Sequence, residues 1–308
     1  MRAHLIANPA AGRGKGGVVA ARVARLLDAR GWETEVTVTR EAGHAGEVAR
    51  QSRAHDMDLV VAVGGDGLIN EIINAPLEPG IGLGVIPAGT GNVLARELGL
   101  PFRWRAAAER LLGSAPVEVD VGEANGRKFV LMTGVGWDAR LLEQVRRTPR
   151  RYLGKAQYVP AIAKMVWRPQ RYRFSVTTED GQYEAEGALL VASNTSVYTW
   201  LFSLTPPASL ADGVLDFVLL RGRGYFSLTK AFMWSVFRKG LREEEAVYFR
   251  AARARVSASP AAPYQVDGDR AGEGPVEIAL HPRALRLFVP PGHPLRRSSE
   301  GVEEGGPR

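Results

Sequence analysis

The sequence contains no cysteine and only six lysines, against 34 arginines, in 308 residues. The lack of cysteine excludes disulfide scaffolds, cysteine-ligated zinc or iron–sulfur sites and thiol nucleophiles. No uninterrupted apolar run approaches the ~18 residues of a transmembrane helix. The N-terminus also lacks the apolar segment of a signal peptide. We therefore expect a cytoplasmic protein, either soluble or peripheral at the inner face of the membrane.

The charge balance limits the kind of partner without identifying it. Hydrophobic residues make up 45% of the chain and charged residues 24%, which is typical of a globular protein of about two domains at this length. Lysine and arginine outnumber aspartate and glutamate by 40 to 33, a net charge of +7. That excess suits nucleic acid, an anionic membrane surface or a phosphorylated substrate.

Residues 1–120 alternate apolar runs with helical periodicity. Strands are predicted at residues 3–8, 33–39, 58–63 and 83–87, and helices at residues 18–28 and 45–54. Near-continuous apolar strands separated by helices are typical of a parallel sheet that is covered on both faces. We predict an α/β nucleotide-binding domain here, which a last strand within residues 284–292 could rejoin.

Residues 121–283 are predicted to form a second, mainly antiparallel β domain. Strands are predicted at residues 117–122, 128–134, 171–178, 183–193, 213–220, 246–257 and 276–279, with helices at 155–167 and 226–237. Asn125-Gly126, Asp180-Gly181 and Asp212-Gly213 are hairpin turn signals between them. Residues 293–308 are polar and glycine-rich, so we predict a disordered tail.

Three glycine-rich loops follow predicted strands of the first domain. The first glycine loop (residues 8–17), the second (64–67) and the third (88–92) each open a helix. Glycines let backbone N–H groups approach an anion, and a helix N-terminus adds partial positive charge. The alternative for the first loop is a plain strand-to-helix turn, and the alternative for the second is a structural turn in which Asp66 caps a helix. The coincidence of the three loops at the carboxyl edge of one sheet predicts a nucleotide crevice.

At these motifs the sequence resembles the catalytic domain of diacylglycerol kinases and related lipid kinases. The resemblance rests on Asn8-Pro9 with Gly12, on Gly64-Gly65-Asp66-Gly67 with Asn70-Glu71, and on Gly89-Thr90-Gly91-Asn92. Residues 210–216 (LADGVLD) resemble the metal-associated loop of that family, and residues 266–269 (VDGD) its late acidic motif. The resemblance implies an ATP-dependent kinase that phosphorylates the hydroxyl of diacylglycerol or a similar lipid in an interdomain cleft.

The loops and the resemblance together assign roles to particular residues. The predicted nucleotide-binding residues are Asn8, Pro9, Gly12, Lys15, Thr39, Gly64, Gly65, Asp66, Gly67, Asn70, Glu71, Gly89, Thr90 and Asn92. Ser209, Asp212 and the backbone at Val214 would hold a Mg²⁺ ion. Asp267 and Asp269 are the catalytic candidates, and the base role stays open between them. From the pattern alone, hairpin turns would explain Asp212-Gly213 and Asp267-Gly268 equally well.

Three positions depart from the family pattern and keep other functions open. Leu68 stands where threonine is usual, Val93 where aspartate is common, and Asp269 where glutamate is usual. These changes leave a catalytically weak nucleotide- or lipid-binding regulator as one alternative. An NAD kinase-like or other small-molecule kinase is another, because the second glycine loop is shared with such enzymes.

Clusters of arginine and aromatic residues predict the partner. Residues 146–152 and 167–173 combine cations with interfacial aromatics, and residues 226–237 crowd aromatic side chains beside Arg238-Lys239. Because no nucleic-acid motif accompanies them, we expect a lipid substrate at an anionic membrane surface and no nucleic acid. Ordinary packing and solvated arginines are the alternative. The oligomeric state stays open, with a dimer allowed.

Overall fold

The structure is a computed structural model, which describes residues 1–52, 56–75, 80–147, 170–198, 205, 208–221 and 246–296. The chain divides into two compact units. Unit 1 contains Met1–Asp120 and Pro282–Arg308, and unit 2 contains Val121–His281. The unit boundaries lie inside two strands, β5 (Ala115–Ala124) and β16 (Val276–Val289). Among the described residues, no helix is long and apolar enough to cross a bilayer.

Unit 1 contains a sheet with strand order β2-β1-β3-β4-β16, in which all four neighbouring pairs are parallel. Its strands before β5 are β1 (Arg2–Ala7), β2 (Glu33–Val38), β3 (Leu59–Gly64) and β4 (Gly82–Pro87). Its helices are α1 (Ala11–Gly14), α2 (Gly16–Asp28), α3 (His44–Gln51), α4 (Asp66–Asn74), α5 (Val93–Glu97) and α6 (Trp104–Leu112).

The sequence of unit 1 explains this arrangement. Every residue of β3 and of β4 is buried, as expected for strands with helices on both faces. Helix α2 buries Ala20, Val23, Ala24 and Leu27, the i, i+3, i+4, i+7 spacing of one helical face. The parallel α/β prediction is confirmed.

Unit 2 is an antiparallel β sandwich. Its further strands are β6 (Arg127–Phe129), β7 (Met132–Gly136), β8 (Tyr172–Thr178), β9 (Gln182–Gly187), β10 (Leu189–Ser193), β11 (Leu215–Leu220), β12 (Ala246–Ala251), β13 (Arg253–Ser259), β14 (Pro263–Val266) and β15 (Asp269–Glu273). Helix α7 spans Trp137–Arg147. One sheet has the order β12-β11-β10-β7-β14-β15, and β13 pairs with β8, β8 with β9 and β13 with β16 in the other. Both sheets contribute to one core, in which Phe217 and Phe249 stack at 4.8 Å.

Several predicted strands were wrong in extent because the chain changes sheets within an apolar run. The predicted strand 183–193 is two strands, β9 and β10, that lie in different sheets. A Cβ at Gly187 would lie 2.4 Å from the Leu220 carbonyl oxygen, so glycine permits this crossing. Residues 246–257 divide in the same way into β12 and β13, and residues 128–134 divide into β6 and β7. Residues 276–279 and 284–289 form the single strand β16.

Other predictions concern the ends of the chain and segments outside the described residues. Of the predicted disordered tail (293–308), residues 293–296 are described: His293 Nε2 lies 3.0 Å from the Glu97 carbonyl oxygen, and Leu295 is buried. The rest of that prediction lies outside the described residues. The helices predicted at 155–167 and 226–237, and the aromatic cluster in the second of them, lie outside the described residues. The sequence analysis missed α6, α7, β14 and β15.

Candidate active site

The three glycine loops of unit 1 lie side by side, because they follow the neighbouring parallel strands β1, β3 and β4. Main-chain hydrogen bonds join them. Gly12 N donates to Ala88 O at 2.6 Å, and Ala88 N donates to Gly64 O at 2.8 Å. The structure therefore brings the predicted loop residues to one edge of the sheet, where open α/β sheets bind ligands.

Two glycines allow the second and third loops to approach this closely. A Cβ at Gly89 would lie 2.4 Å from the Cα of Gly65, and a Cβ at Gly65 would lie 3.1 Å from the Cα of Gly89. A side chain at position 89 would therefore push the loops apart. Part of the glycine pattern thus serves loop packing, in addition to any contact with an anion.

Asp66, a predicted nucleotide ligand, holds the third loop. Its Oδ1 accepts a hydrogen bond from Leu94 N at 3.2 Å, in the first turn of α5. Burial raises the pKa of the Asp66 carboxyl, while hydrogen bonds from the backbone of Val93 and Leu94 act in the opposite direction. The Asp66 carboxylate, which belongs to the second loop, therefore occupies a capping position at the N-terminus of α5, the helix that follows the third loop.

Three other predicted ligands also stabilise loops. The Asn92 side chain accepts from Gly89 N and donates to Gly89 O, both at 2.9 Å. Asn8 Oδ1 accepts from Ala10 N at 2.8 Å. Glu71 Oε2 accepts from Gly43 N at 3.0 Å, which fixes the segment before α3.

The remaining predicted ligands differ in exposure. Lys15, Gly67, Thr90 and Pro9 are exposed at the loop edge, whereas Thr39 and Asn70 are buried. Gly67 lies in the first turn of the nine-residue helix α4, and open space surrounds the position of its missing Cβ. Exposed glycine backbone at a helix N-terminus suits the phosphate groups of a nucleotide.

In unit 2, Asp267 lies inside the tight turn between β14 and β15, and Asp269 directly follows it as the first residue of β15. Asp267 and Gly268 both have positive φ, at 47° and 84°, and Val266 pairs with Asp269. Positive φ at both central residues is the type I′ hairpin geometry that Asp-Gly favours. Residues 266–269 therefore form a hairpin turn, which gives the two acidic side chains different surroundings.

The Asp267 carboxylate is hydrogen-bonded to backbone groups of unit 2. It accepts hydrogen bonds from Val130 N at 3.1 Å and from Leu131 N and Met132 N, both at 3.0 Å, and the residue is 8% exposed. A carboxylate that accepts three backbone N–H groups is held in place by them. This geometry argues against Asp267 as a base that must meet a substrate hydroxyl.

Asp269 is the more accessible of the two. Its side chain is 35% exposed, and Oδ2 lies 3.2 Å from Arg127 Nη2. A partly exposed carboxylate that a guanidinium orients can still approach a substrate. The base role therefore fits Asp269 better than Asp267, and catalysis by Asp269 stays a prediction.

The sequence analysis missed a buried group next to this turn, Asp138 on α7. Gln265 Nε2 donates to Asp138 Oδ2 at 3.0 Å, and Gln265 Oε1 accepts from Gly268 N at 2.7 Å. Tyr198 Oη donates to the same Asp138 oxygen at 3.3 Å. The network links α7 to the acidic turn. An aspartate inside the apolar segment 135–139 was the available signal for a buried carboxyl.

Asp138 gives the stability of the protein a definite pH dependence. Burial raises the pKa of its carboxyl from 3.8 to about 6, although the Gln265 side chain opposes the shift. Because the folded pKa lies above the unfolded one, this contribution is fully present below pH ~4 and is lost as the pH rises through ~6. The loss is about 3 kcal/mol. We expect Asp138→Asn to gain that much stability relative to wild type between these pH values in urea unfolding. A difference that stays constant with pH would contradict the assignment.

The predicted metal loop is stabilised by protein groups. Asp212 Oδ2 is paired with Arg250 Nη2, and Asp212 Oδ1 accepts from Val214 N at 3.4 Å. Ser209 Oγ accepts from Ala211 N at 3.4 Å. Among the described residues, no group of three or more histidine, aspartate or glutamate side chains could hold a metal ion. Because a guanidinium already lies on the only carboxylate of this donor set, the set does not fit Mg²⁺.

Two family models match the chain. Residues 2–124 match the "Diacylglycerol kinase catalytic domain", and residues 132–289 match the "YegS C-terminal NAD kinase beta sandwich-like domain". The diacylglycerol kinase of Bacillus subtilis (strain 168) is 28% identical over 292 residues, which cover 94% of this chain and 96% of that protein. The diacylglycerol kinase of Staphylococcus carnosus (strain TM300) is 26% identical over 295 residues, covering 94% and 95%.

Solved structures show the same architecture. A crystal structure from Bacillus anthracis str. Sterne, provisionally described as a diacylglycerol kinase, superposes with a TM-score of 0.79 at 26% identity. It covers 94% of this chain and 98% of that one. Yeast NADH kinase in complex with NADH superposes with a TM-score of 0.53 at 10% identity, over 99% of this chain and 89% of that one. The second likeness shows the fold alone.

Proposed function

The chain belongs to the diacylglycerol kinase family, and on that premise we propose that it transfers the γ-phosphoryl group of ATP to the hydroxyl of diacylglycerol or a similar lipid. The observation that carries this proposal is the edge of three joined glycine loops in unit 1. Two features of this edge support it: the exposed glycine backbone at the start of α4, and the exposed Lys15 side chain of the first loop.

Membership of a kinase family implies ATP with a divalent metal ion, which we treat as arriving with the nucleotide. The exposed residues Gly12, Lys15, Gly67 and Thr90 are the ones we assign to the phosphates. Backbone N–H groups at this edge would orient the phosphates and stabilise the charge that develops on the transferred group. Asp66, Glu71 and Asn92 act indirectly, because their side chains hold the loops in place.

The acceptor step needs a group that takes one proton. We assign this role to Asp269, whose carboxylate would accept the proton of the lipid hydroxyl as its oxygen attacks the γ-phosphorus. The bond between the γ-phosphorus and the β–γ bridging oxygen breaks, and ADP leaves. The products are the phosphorylated lipid, ADP and a proton that Asp269 returns to solvent.

We propose an anionic membrane surface as the partner, with which the net charge of +7 is compatible. The predicted arginine clusters lie largely outside the described residues. In the described part of the second cluster, Arg171 and Arg173 both pair with Glu186, at 2.6 Å and 3.8 Å. These two arginines are therefore partly neutralised, and they contribute less to a membrane contact than the sequence suggests.

Labelled ATP with alternative acceptors tests the proposal. The wild-type protein is incubated with MgATP and either diacylglycerol in mixed micelles or NAD⁺ in solution, and labelled products are separated. We expect labelled lipid, and more of it when the micelles carry anionic lipid, because each basic residue near such a surface adds about 1 kcal/mol of attraction. Labelled NADP⁺ without labelled lipid would favour the NAD kinase-like alternative. Tight ATP binding with neither product would favour the regulator.

A further inference from the structure

Two carboxylates, Asp212 in the turn before β11 and Asp216 within β11, face a single cation on the neighbouring strand. Asp212 and Asp216 lie on either side of Val214, and Asp216 pairs in register with Arg250 of the antiparallel strand β12. Asp216 is completely buried, whereas the Asp212 and Arg250 side chains are 28% and 43% exposed. The cation therefore reaches from the surface toward a buried negative charge.

The Arg250 guanidinium contacts both carboxylates. Its Nη2 is paired with Asp212 Oδ2, and its Nε lies 3.5 Å from Asp216 Oδ1. Tyr248 Oη donates to the same Asp216 oxygen. Tyr248 and Arg250 are both on β12. Because Asp212 precedes β11 and Asp216 lies within it, these contacts join the loop 209–216 to the sheet.

A guanidinium in this position supplies the positive charge that a bound metal ion would otherwise supply. It stays protonated at every pH that the protein encounters, and its planar fork can hold two carboxylates at once. A Mg²⁺ ion needs near-octahedral oxygen ligands at ~2.1 Å, and it would be repelled by a positive charge already paired with Asp212. Binding of the ion would require Arg250 to leave.

We propose that Arg250 takes the place of a metal ion at this loop, so that the segment 209–216 is held by a protein cation and folds independently of Mg²⁺. The proposal does not depend on the kinase activity. It separates this chain from the metal loop that its sequence motif implies, at Ser209, Asp212 and Val214. The divalent ion that accompanies ATP is a different ion and is unaffected.

Thermal unfolding of the full chain without nucleotide tests this inference. Melting temperatures are measured in EDTA and along a millimolar MgCl₂ titration for wild type, Arg250→Ala and Arg255→Ala. Arg255 is the matched control, because it pairs with Glu277 on the neighbouring strand at 2.9 Å but both partners are exposed. We expect the wild-type melting temperature to change by less than about 1 °C with Mg²⁺.

The Arg250→Ala variant should behave differently in two ways. In EDTA it should melt about 4–8 °C lower than wild type, because the buried Asp216 loses its cation. Mg²⁺ should then restore part of the loss, since the two uncompensated carboxylates now attract it. The Arg250→Ala, Asp212→Asn double variant should lose that response, and Arg255→Ala should match wild type throughout.

Two results would overturn the proposal. One is saturable Mg²⁺ binding to the wild-type chain, measured by calorimetry without nucleotide and abolished by Asp212→Asn. The other is an Arg250→Ala protein with wild-type stability and no response to Mg²⁺. If Arg250→Ala does not fold, Arg250→Lys retains one charge and the same strand pairing, and the wild-type calorimetry decides the question without any variant of Arg250.

Discussion

Asp269→Asn is expected to reduce kcat for lipid phosphorylation by about 10²–10⁴-fold, with little change in the KM for ATP. The substitution removes the group that we assign as the general base, and positioned bases contribute a rate factor of that size. The variant should fold normally, because the pair that it breaks with Arg127 is partly exposed on both sides and such pairs contribute about 1 kcal/mol or less. Steady-state kinetics with mixed micelles, together with urea unfolding, measures both quantities.

Glu273→Gln is the matched control for this prediction. Glu273 lies at the opposite end of β15 and also pairs with an arginine, Arg270, at 3.4 Å. Removing this carboxylate from the same strand should leave kcat within about twofold of wild type. Equal losses in the two variants would mean that the strand needs negative charge in general. Full activity of Asp269→Asn would exclude Asp269 as the base.

The layout of unit 1 could be predicted because its strands are buried on both faces. Every residue in β3 and β4 is buried, whichever face of the sheet its side chain is on. Such strands can therefore be recognised in the sequence as continuous apolar runs. The sandwich of unit 2 is harder, since β9 and β10 are separated only by Ala188 and belong to different sheets. Which sheet a strand joins depends on contacts distant in sequence, such as the approach of Gly187 to Leu220.

The candidate site was predictable in location but only partly in role. Asp66 and Asn92 were predicted as ligands from residue type and loop position. In the structure, Asn92 bonds to Gly89 in the third loop, and Asp66 accepts from Leu94 N at the start of α5. The sequence shows which polar groups are present at a loop, but it does not show which of them form hydrogen bonds within the protein itself. Arg250 illustrates the same limit, because only the pairing of β11 with β12 brings it to Asp216.

Leu68 departs from the family pattern for a reason that the structure supplies. The residue is 4% exposed, and a Cβ at Gly64 would lie 2.6 Å from Leu68 Cδ2. The side chain therefore packs beneath the second glycine loop and fills the space that glycine leaves open. A hydroxyl is lost at this position, but apolar packing of the loop is gained, so the substitution need not weaken the nucleotide site.

Asp267→Ala is expected to destabilise unit 2 by about 3–5 kcal/mol, the largest stability effect that we predict. The substitution leaves the backbone N–H groups of residues 130–132 without their shared acceptor, and unsatisfied buried donors are costly. It also places alanine at a φ of 47°, a left-handed conformation that costs alanine about 1 kcal/mol. Urea unfolding with a probe in unit 2 measures the loss.

Two further substitutions separate these causes. Asp267→Gly removes the carboxylate but keeps a residue that tolerates positive φ. Compared with Asp267→Ala, it should therefore regain only the stability that alanine loses through its unfavourable backbone conformation. Asp267→Asn keeps the conformation and one acceptor oxygen, which can retain the bonds from Leu131 and Met132 while the amide nitrogen faces Val130 N. We therefore expect the stability order wild type, Asn, Gly, Ala. If Asp267→Asn instead unfolds like wild type but loses kcat by 10²-fold or more, Asp267 acts on the substrate and the base role assigned to Asp269 is wrong.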